Sequence, residues 1–205
     1  MCPTIVGMDI DIIVFDGFDE LDAIAPFEVL RNAEELGADL HPALVGLHGQ
    51  GEITAAHGTR LTVERGVSDR ADMLLVPGGG WNSRSPRGTR AEVARGDLPA
   101  LLRREHARGS TIAAVCTGGM VLAAAGITRG RPATTHRLAQ DELRASGAEV
   151  VDARVVDDGD VLTAGGVTSG LDLALHIVER FAGAQIADLV AAEIEHERAG
   201  EVWAA

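Results

Sequence analysis

The chain of 205 residues contains no lysine and no tyrosine, and all 18 of its basic residues are arginine. Schiff-base catalysis, a P-loop lysine and a Tyr/Lys proton relay are thereby excluded. Cysteine is almost missing as well. Only Cys2 and Cys116 occur, Cys2 on a terminus expected to be loosely held, which argues against a disulfide framework or a cysteine zinc site. Positive charge is scarce: 18 arginines face 31 acidic residues, for a formal charge of -13. A chain so charged repels phosphate backbones and anionic bilayers, so neither nucleic acid nor membrane is an expected partner. No apolar run approaches the ~18 residues of a membrane span. Residues 1–11 lack the positively charged start of a secretory signal. The expected location is the reducing cytoplasm.

What is present suits one α/β domain over residues 1–205, large enough to hold a core without disulfides or metal. Apolar residues make up 46% and aromatics only 3%, which predicts tightly packed helices on a Val/Ile/Leu-rich sheet. Short apolar runs at Asp9 to Phe15, Leu40 to Leu47, Met73 to Val76, Thr111 to Val115 and Val161 to Thr163 read as strands. Between the first two, Leu21, Ile24, Phe27, Leu30, Ala33 and Leu36 recur at helical spacing, stopped by Gly37 and kinked or restarted at Pro26. Glu52 to Val67, with His57-Gly58 at its turn, reads as a hairpin at a sheet edge. Helical patterns follow at Leu98 to Ala107, Gly118 to Ala125, Arg137 to Ser146, Leu171 to Phe181 and Ala184 to Glu197, and Glu193 to Glu201 reads as a solvated final turn and tail. Strands alternating with helices predict a doubly wound, mostly parallel sheet, whose sites form beyond the carboxyl ends of the strands.

Four features carry chemistry. Thr111 to Val115 runs straight into Cys116-Thr117-Gly118-Gly119 and then a helix, so Cys116 sits where a strand turns sharply, with the small residues Ala114 and Gly118 flanking it as a nucleophile elbow requires. The alternative is a buried structural cysteine. A helix N-terminus behind the sulfur supplies at most ~2 kcal/mol toward a thiolate. A protonated carboxyl group nearby would assist by donating a hydrogen bond, whereas an ionised one would oppose it. Asp22, just after the first strand in the run Asp16 to Asp22, is the candidate acid, or else a helix cap; Asp16, Asp19 and Glu20 read as turn formers or helix-start charges. Glu28 either braces the site or lies on the helix surface. The glycines of Val76-Pro77-Gly78-Gly79-Gly80-Trp81 form either an anion pocket or a tight turn, and Trp81 either lines a pocket or caps the core. His136, closing a short strand Ala133 to His136, is either a base near the sulfur or a structural residue. His41, His48, His57, His106, His176 and His196 show no metal-ligand spacing and are expected to be structural or exposed; no metal is expected.

Taken together, Phe15-Asp16-Gly17-Phe18 with Leu21-Asp22, Pro26 to Leu30, the Val76 to Gly79 loop, Ala114 to Gly118, Ala124-Ala125-Gly126 leading to Ala133 to His136, and Thr163 to Asp172 resemble the ThiJ/PfpI superfamily over nearly the whole chain. The resemblance implies a class I glutamine amidotransferase-like (flavodoxin-like) fold and a homodimer. Thr117 stands where the protease-like and glyoxalase-like branches place histidine, and Cys-Thr-Gly with Leu-Asp and Gly-Gly-Val-Thr is similar to the isonitrile hydratase branch and to sensor domains of certain AraC-type regulators. This similarity implies a free-standing enzyme without a cofactor that converts a small-molecule isonitrile to an N-substituted formamide. Cys116 would attack as an ionised sulfur and Asp22 would position water and move the proton. The N–H groups of Gly79 and Thr117 would form the polar pocket, with the Thr117 hydroxyl orienting Asp22. Other cysteine-dependent chemistry of glyoxalase or amidase type, or a ligand or redox sensor, are the alternatives.

Overall fold

The computed structural model describes residues 7–205, so Cys2 lies outside the described residues. Strand β1 (Met8–Val14) leads into helix α1 (Glu20–Glu35) and returns through β2 (Leu40–Gly46). A hairpin, β3 (Gly51–Thr54) and β4 (Arg60–Val63), precedes β5 (Met73–Val76). Helices α2 (Thr89–Arg95) and α3 (Asp97–Ala107) then lead to β6 (Thr111–Val115) and α4 (Gly118–Ala124). The remainder runs β7 (Pro132–Ala133), α5 (Gln140–Ala145), β8 (Glu149–Val150), β9 (Val155–Asp157), β10 (Val161–Ala164), α6 (Ser169–Ala182), α7 (Ala184–Glu193) and β11 (Val202–Ala204). The central sheet has the order β11-β9-β10-β6-β5-β1-β2. All its pairings are parallel except β9 with β10. Helices α1, α6 and α7 pack on one another, and α2, α3 and α4 form a second group. Every residue of β5 and β10 is buried, as an apolar strand between two helical layers requires. Each such Val, Leu or Ile contributes about 1.5–3 kcal/mol of burial.

The expected doubly wound architecture is therefore present, with several local differences. Helix α1 runs unbroken through Pro26; having no N–H, Pro26 gives up only the bond to the Asp22 carbonyl four residues earlier. The hairpin does not join the main sheet. It forms a two-stranded sheet of its own and meets the β2 edge through a Gly46–Gly66 bridge. Asp11, fully buried on β1, holds the returning chain by accepting bonds from Arg65 and the Ser68 N–H. The hairpin tip instead docks on the loop after β1: Asp16 Oδ1 accepts from the Thr54 N–H at 2.9 Å, and Glu20 Oε1 from the His57 N–H at 3.0 Å. The strand expected at Ala133 to His136 is only Pro132–Ala133, and His136 caps a 3-10 turn (Arg137–Ala139) ahead of α5. The tail is not wholly solvated. Beyond α7, buried Asp172 accepts bonds from Arg154, His196 Nε2 and the Ala199 N–H, which anchors the chain so that residues 202–204 extend the sheet as β11.

Candidate active site

Cys116 leaves β6 with φ 57°, a left-handed conformation in a non-glycine residue that costs roughly 1–3 kcal/mol. Neighbouring bonds hold it there. Its N–H reaches the carbonyls of Ala164 and Gly165 at 3.1 and 2.8 Å, and the Thr135 hydroxyl donates to its carbonyl at 2.7 Å. A Cβ at Gly118 would come 2.2 Å from the Val76 carbonyl oxygen, so the position after the turn has room only for glycine. The elbow read from the sequence is thus real geometry. Cys116 is also 6% exposed, lining a hollow of about 340 Å³.

The Asp22 side chain is fully buried against the sulfur. Its Oδ2 accepts from the Gly78 N–H at 2.9 Å, while Oδ1 has no partner in ordinary hydrogen-bond geometry. Burial, together with the nearby charge of Asp19, pushes the Asp22 carboxyl up from 3.8 to about 7. Burial, then the Asp22 carboxylate, pushes the Cys116 thiol up to about 12. This reverses the expectation of an ionised sulfur, because the thiol is desolvated and its nearest charge is negative. Near neutral pH the two groups constitute a coupled pair with the thiol protonated and the carboxyl exchanging its proton. The N–H groups of Val167 and Thr117 face the sulfur and favour its charged form.

Of the two readings of the glycine loop, its contacts favour the tight turn. Gly78 passes between Asp22 and Thr117 so closely that a Cβ would lie 2.7 Å from Asp22 Oδ2 and 2.6 Å from the Thr117 nitrogen. The Gly79 N–H donates to Thr117 Oγ1 at 3.0 Å and is not free for a ligand. Thr117 Oγ1 also meets Thr89 Oγ1 at 3.3 Å, so the hydroxyl fastens the loop and does not orient Asp22. The donor the sequence missed is Val167, held at φ 33° after Gly165-Gly166. A β-branched residue in that conformation is an outlier. The paired glycines just past β10 were the signal available.

Glu28 lies on the exposed face of α1 and is not part of the hollow's wall. Trp81 is buried, packs with Met120, Ala133 and Leu143, and also lines the hollow, with the Arg90 guanidinium 4.2 Å from its ring centre. His136 lines the hollow too. Its Nδ1 accepts the Leu138 N–H at 3.2 Å and lies 3.2 Å from Asn82 Nδ2, so the neutral ring carries its proton on Nε2. Burial, then the Arg137 charge, lowers its affinity for a second proton. At the mouth, ligand atoms of Asp19, Glu20 and His57 lie within 4.8 Å of one another, a grouping hidden from the sequence by 37 residues of separation. There Glu20 is engaged by His57 and raises the affinity of that ring for a proton. A larger groove of about 900 Å³ adjoins through His136, bordered by Gln140, Arg154 and Trp203, and contains no nucleophilic sulfur.

Known proteins resemble this chain over most of its length. The chain is 30% identical over 198 residues to an isonitrile hydratase of Pseudomonas putida, covering 93% of this chain and 79% of that protein. It is 31% identical over 157 residues to a deglycase of Thermococcus kodakarensis, covering 75% and 87% respectively. A solved ThiJ/PfpI family protein from Pseudomonas syringae superposes with a TM-score of 0.82 at 25% identity, over 96% of this chain and 79% of that one. No helix among the described residues is long and apolar enough to cross a membrane. With the family pattern matched from residue 8 to residue 180, across the elbow, the acid and the glycine loop alike, the chain belongs to the DJ-1/PfpI family.

Proposed function

We propose that this protein is a cofactor-independent hydratase that converts a small isonitrile to the corresponding N-substituted formamide. The observation that carries the reading is the Cys116–Asp22 pair, buried together beside a hollow, with burial raising the affinity of both groups for a proton. Addition of a thiol to an isonitrile needs the sulfur and a proton delivered to one carbon. Cys116 Sγ forms the C–S bond to the terminal carbon, and its proton passes through the Asp22 carboxylate to that carbon, giving a thioimidate. Charge passing through the sulfur is stabilised by the Val167 and Thr117 N–H groups. Asp22, again ionised, then draws a proton from water as the water oxygen adds to the carbon. That proton goes to nitrogen, the C–S bond breaks, and the formamide leaves as the thiol recovers its proton.

Formamide release from an alkyl isonitrile by the wild type, and none by Cys116→Ala, tests this directly; full turnover by Cys116→Ser would overturn it. A second reading, thiol chemistry on an aldehyde, is favoured by His136 on the same wall and by the deglycase relative. It is weakened by the engagement of His136 Nδ1, which leaves that ring a donor rather than a base.

A further inference from the structure

We propose that the hollow selects a small substrate whose tail ends in a carboxylate, and that Arg87 is the residue that selects it. The inference rests on Cys116 as the reacting group. With 31 acids to 18 arginines, an arginine of this chain ordinarily finds a carboxylate. Most do, as Arg65 finds Asp11, Arg90 finds Glu142 and Arg154 finds Asp172. Arg87 makes no ion pair among the described residues, and it is the one arginine on the wall of the Cys116 hollow. The other basic group at the mouth, His57, already has Glu20 against it. Arg87 is exposed on that wall with no carboxylate partner among the described residues, and a free guanidinium is a fork of donors suited to a carboxylate.

The rest of the wall agrees. Asn82, Ser83 and Ser85 give the loop side hydroxyl and amide character, so a hydrocarbon tail gains little there. Asp19 is the one carboxylate on the wall, and it stands close enough to Asp22 to oppose that group's ionisation. Asp19 sits at the mouth with Glu20 and His57, so an anion on this wall has Arg87 as its available partner. At about 340 Å³ the hollow is at the small end of ligand sites, which matches a short tail.

Iodoacetate and iodoacetamide place the same reacting carbon on a thiol and differ in charge, so their rate ratio at Cys116, read on the peptide that contains it, reports the field independently of turnover. The ratio should fall about fivefold in Arg87→Gln, the scale of one partly exposed ion pair, and should survive in Arg87→Lys. Arg84→Gln, on the same loop and off the wall, is the control and should match the wild type. In parallel, isocyanoacetate should be hydrated with a higher kcat/KM than isocyanoacetamide, and Arg87→Gln should erase the preference through KM. An unchanged alkylation ratio in Arg87→Gln overturns the proposal whatever the turnover shows. A ratio that falls while neither isonitrile reacts keeps the carboxylate site and removes the hydratase reading.

Discussion

Asp22→Asn should stabilise the protein progressively as pH rises from 4.5 to 8. In the folded chain the carboxyl titrates near 7, against 3.8 when free. Between those values the unfolded chain has released the proton and the folded chain retains it, so stability falls with rising pH and the full loss is reached above pH 7. At ~1.4 kcal/mol per pH unit the gap corresponds to about 4 kcal/mol, an upper bound because the surroundings relax around the charge. Asparagine keeps an oxygen for the Gly78 N–H and carries no ionisable group, so it lacks this slope. Urea unfolding of both proteins at pH 4.5 and 8 measures the difference. The variant should gain ~2–4 kcal/mol on the wild type between the two pH values. An equal difference at both would mean that Asp22 ionises as an ordinary carboxyl, and the shared-proton mechanism would fail with it. The thiol does not confuse the test, since its own raised titration lies above this window.

Turnover of the isonitrile by the wild type should rise with pH through about 7, as Asp22 gains its base form; a kcat/KM profile flat from pH 5.5 to 8.5 would contradict that role. Removing the Asp22 carboxylate should lower the pH at which Cys116 alkylates, because that charge opposes thiolate formation; an upward shift would refute the assignment. Gly118→Ala should cost more than ~3 kcal/mol, since its Cβ would meet the Val76 carbonyl oxygen at 2.2 Å; thermal unfolding within a degree of the wild type would show that the turn yields. Thr117→Val should lose ~1–3 kcal/mol through the stranded Gly79 N–H, and Thr117→Ser should restore it. Asp172→Ala should release the Arg154, His196 and Ala199 contacts and speed amide exchange in residues 196–204 relative to β10, which hydrogen exchange would read.

The elbow at Cys116 was legible because it is local: a run of apolar residues ends at a cysteine bracketed by Ala114 and Gly118, and backbone sterics follow from side-chain size. Asp22 was legible for a related reason, since it lies just beyond a strand whose carboxyl end faces the site. Glu28, weighed as a brace, follows α1 outward to solvent, a choice of helix face the spacing alone did not make. The short strands β8, β9 and β11 gave too few residues for a periodic signal, and β11 exists because Asp172, some 30 positions earlier, fixes the chain that precedes it. The function of the glycine loop was hidden in the same way: whether the Gly79 N–H meets a ligand or Thr117 depends on a residue 38 positions away.

Composition and periodicity by themselves determined the parallel α/β architecture, the sharp turn at Cys116 and the exclusion of lysine and tyrosine chemistry. Only the tertiary structure decided the proton's location. Burial, the Asp19 charge and the donors from Val167 and Thr117 come from separate stretches of chain, and a titration depends on the field and solvation that all of them create together.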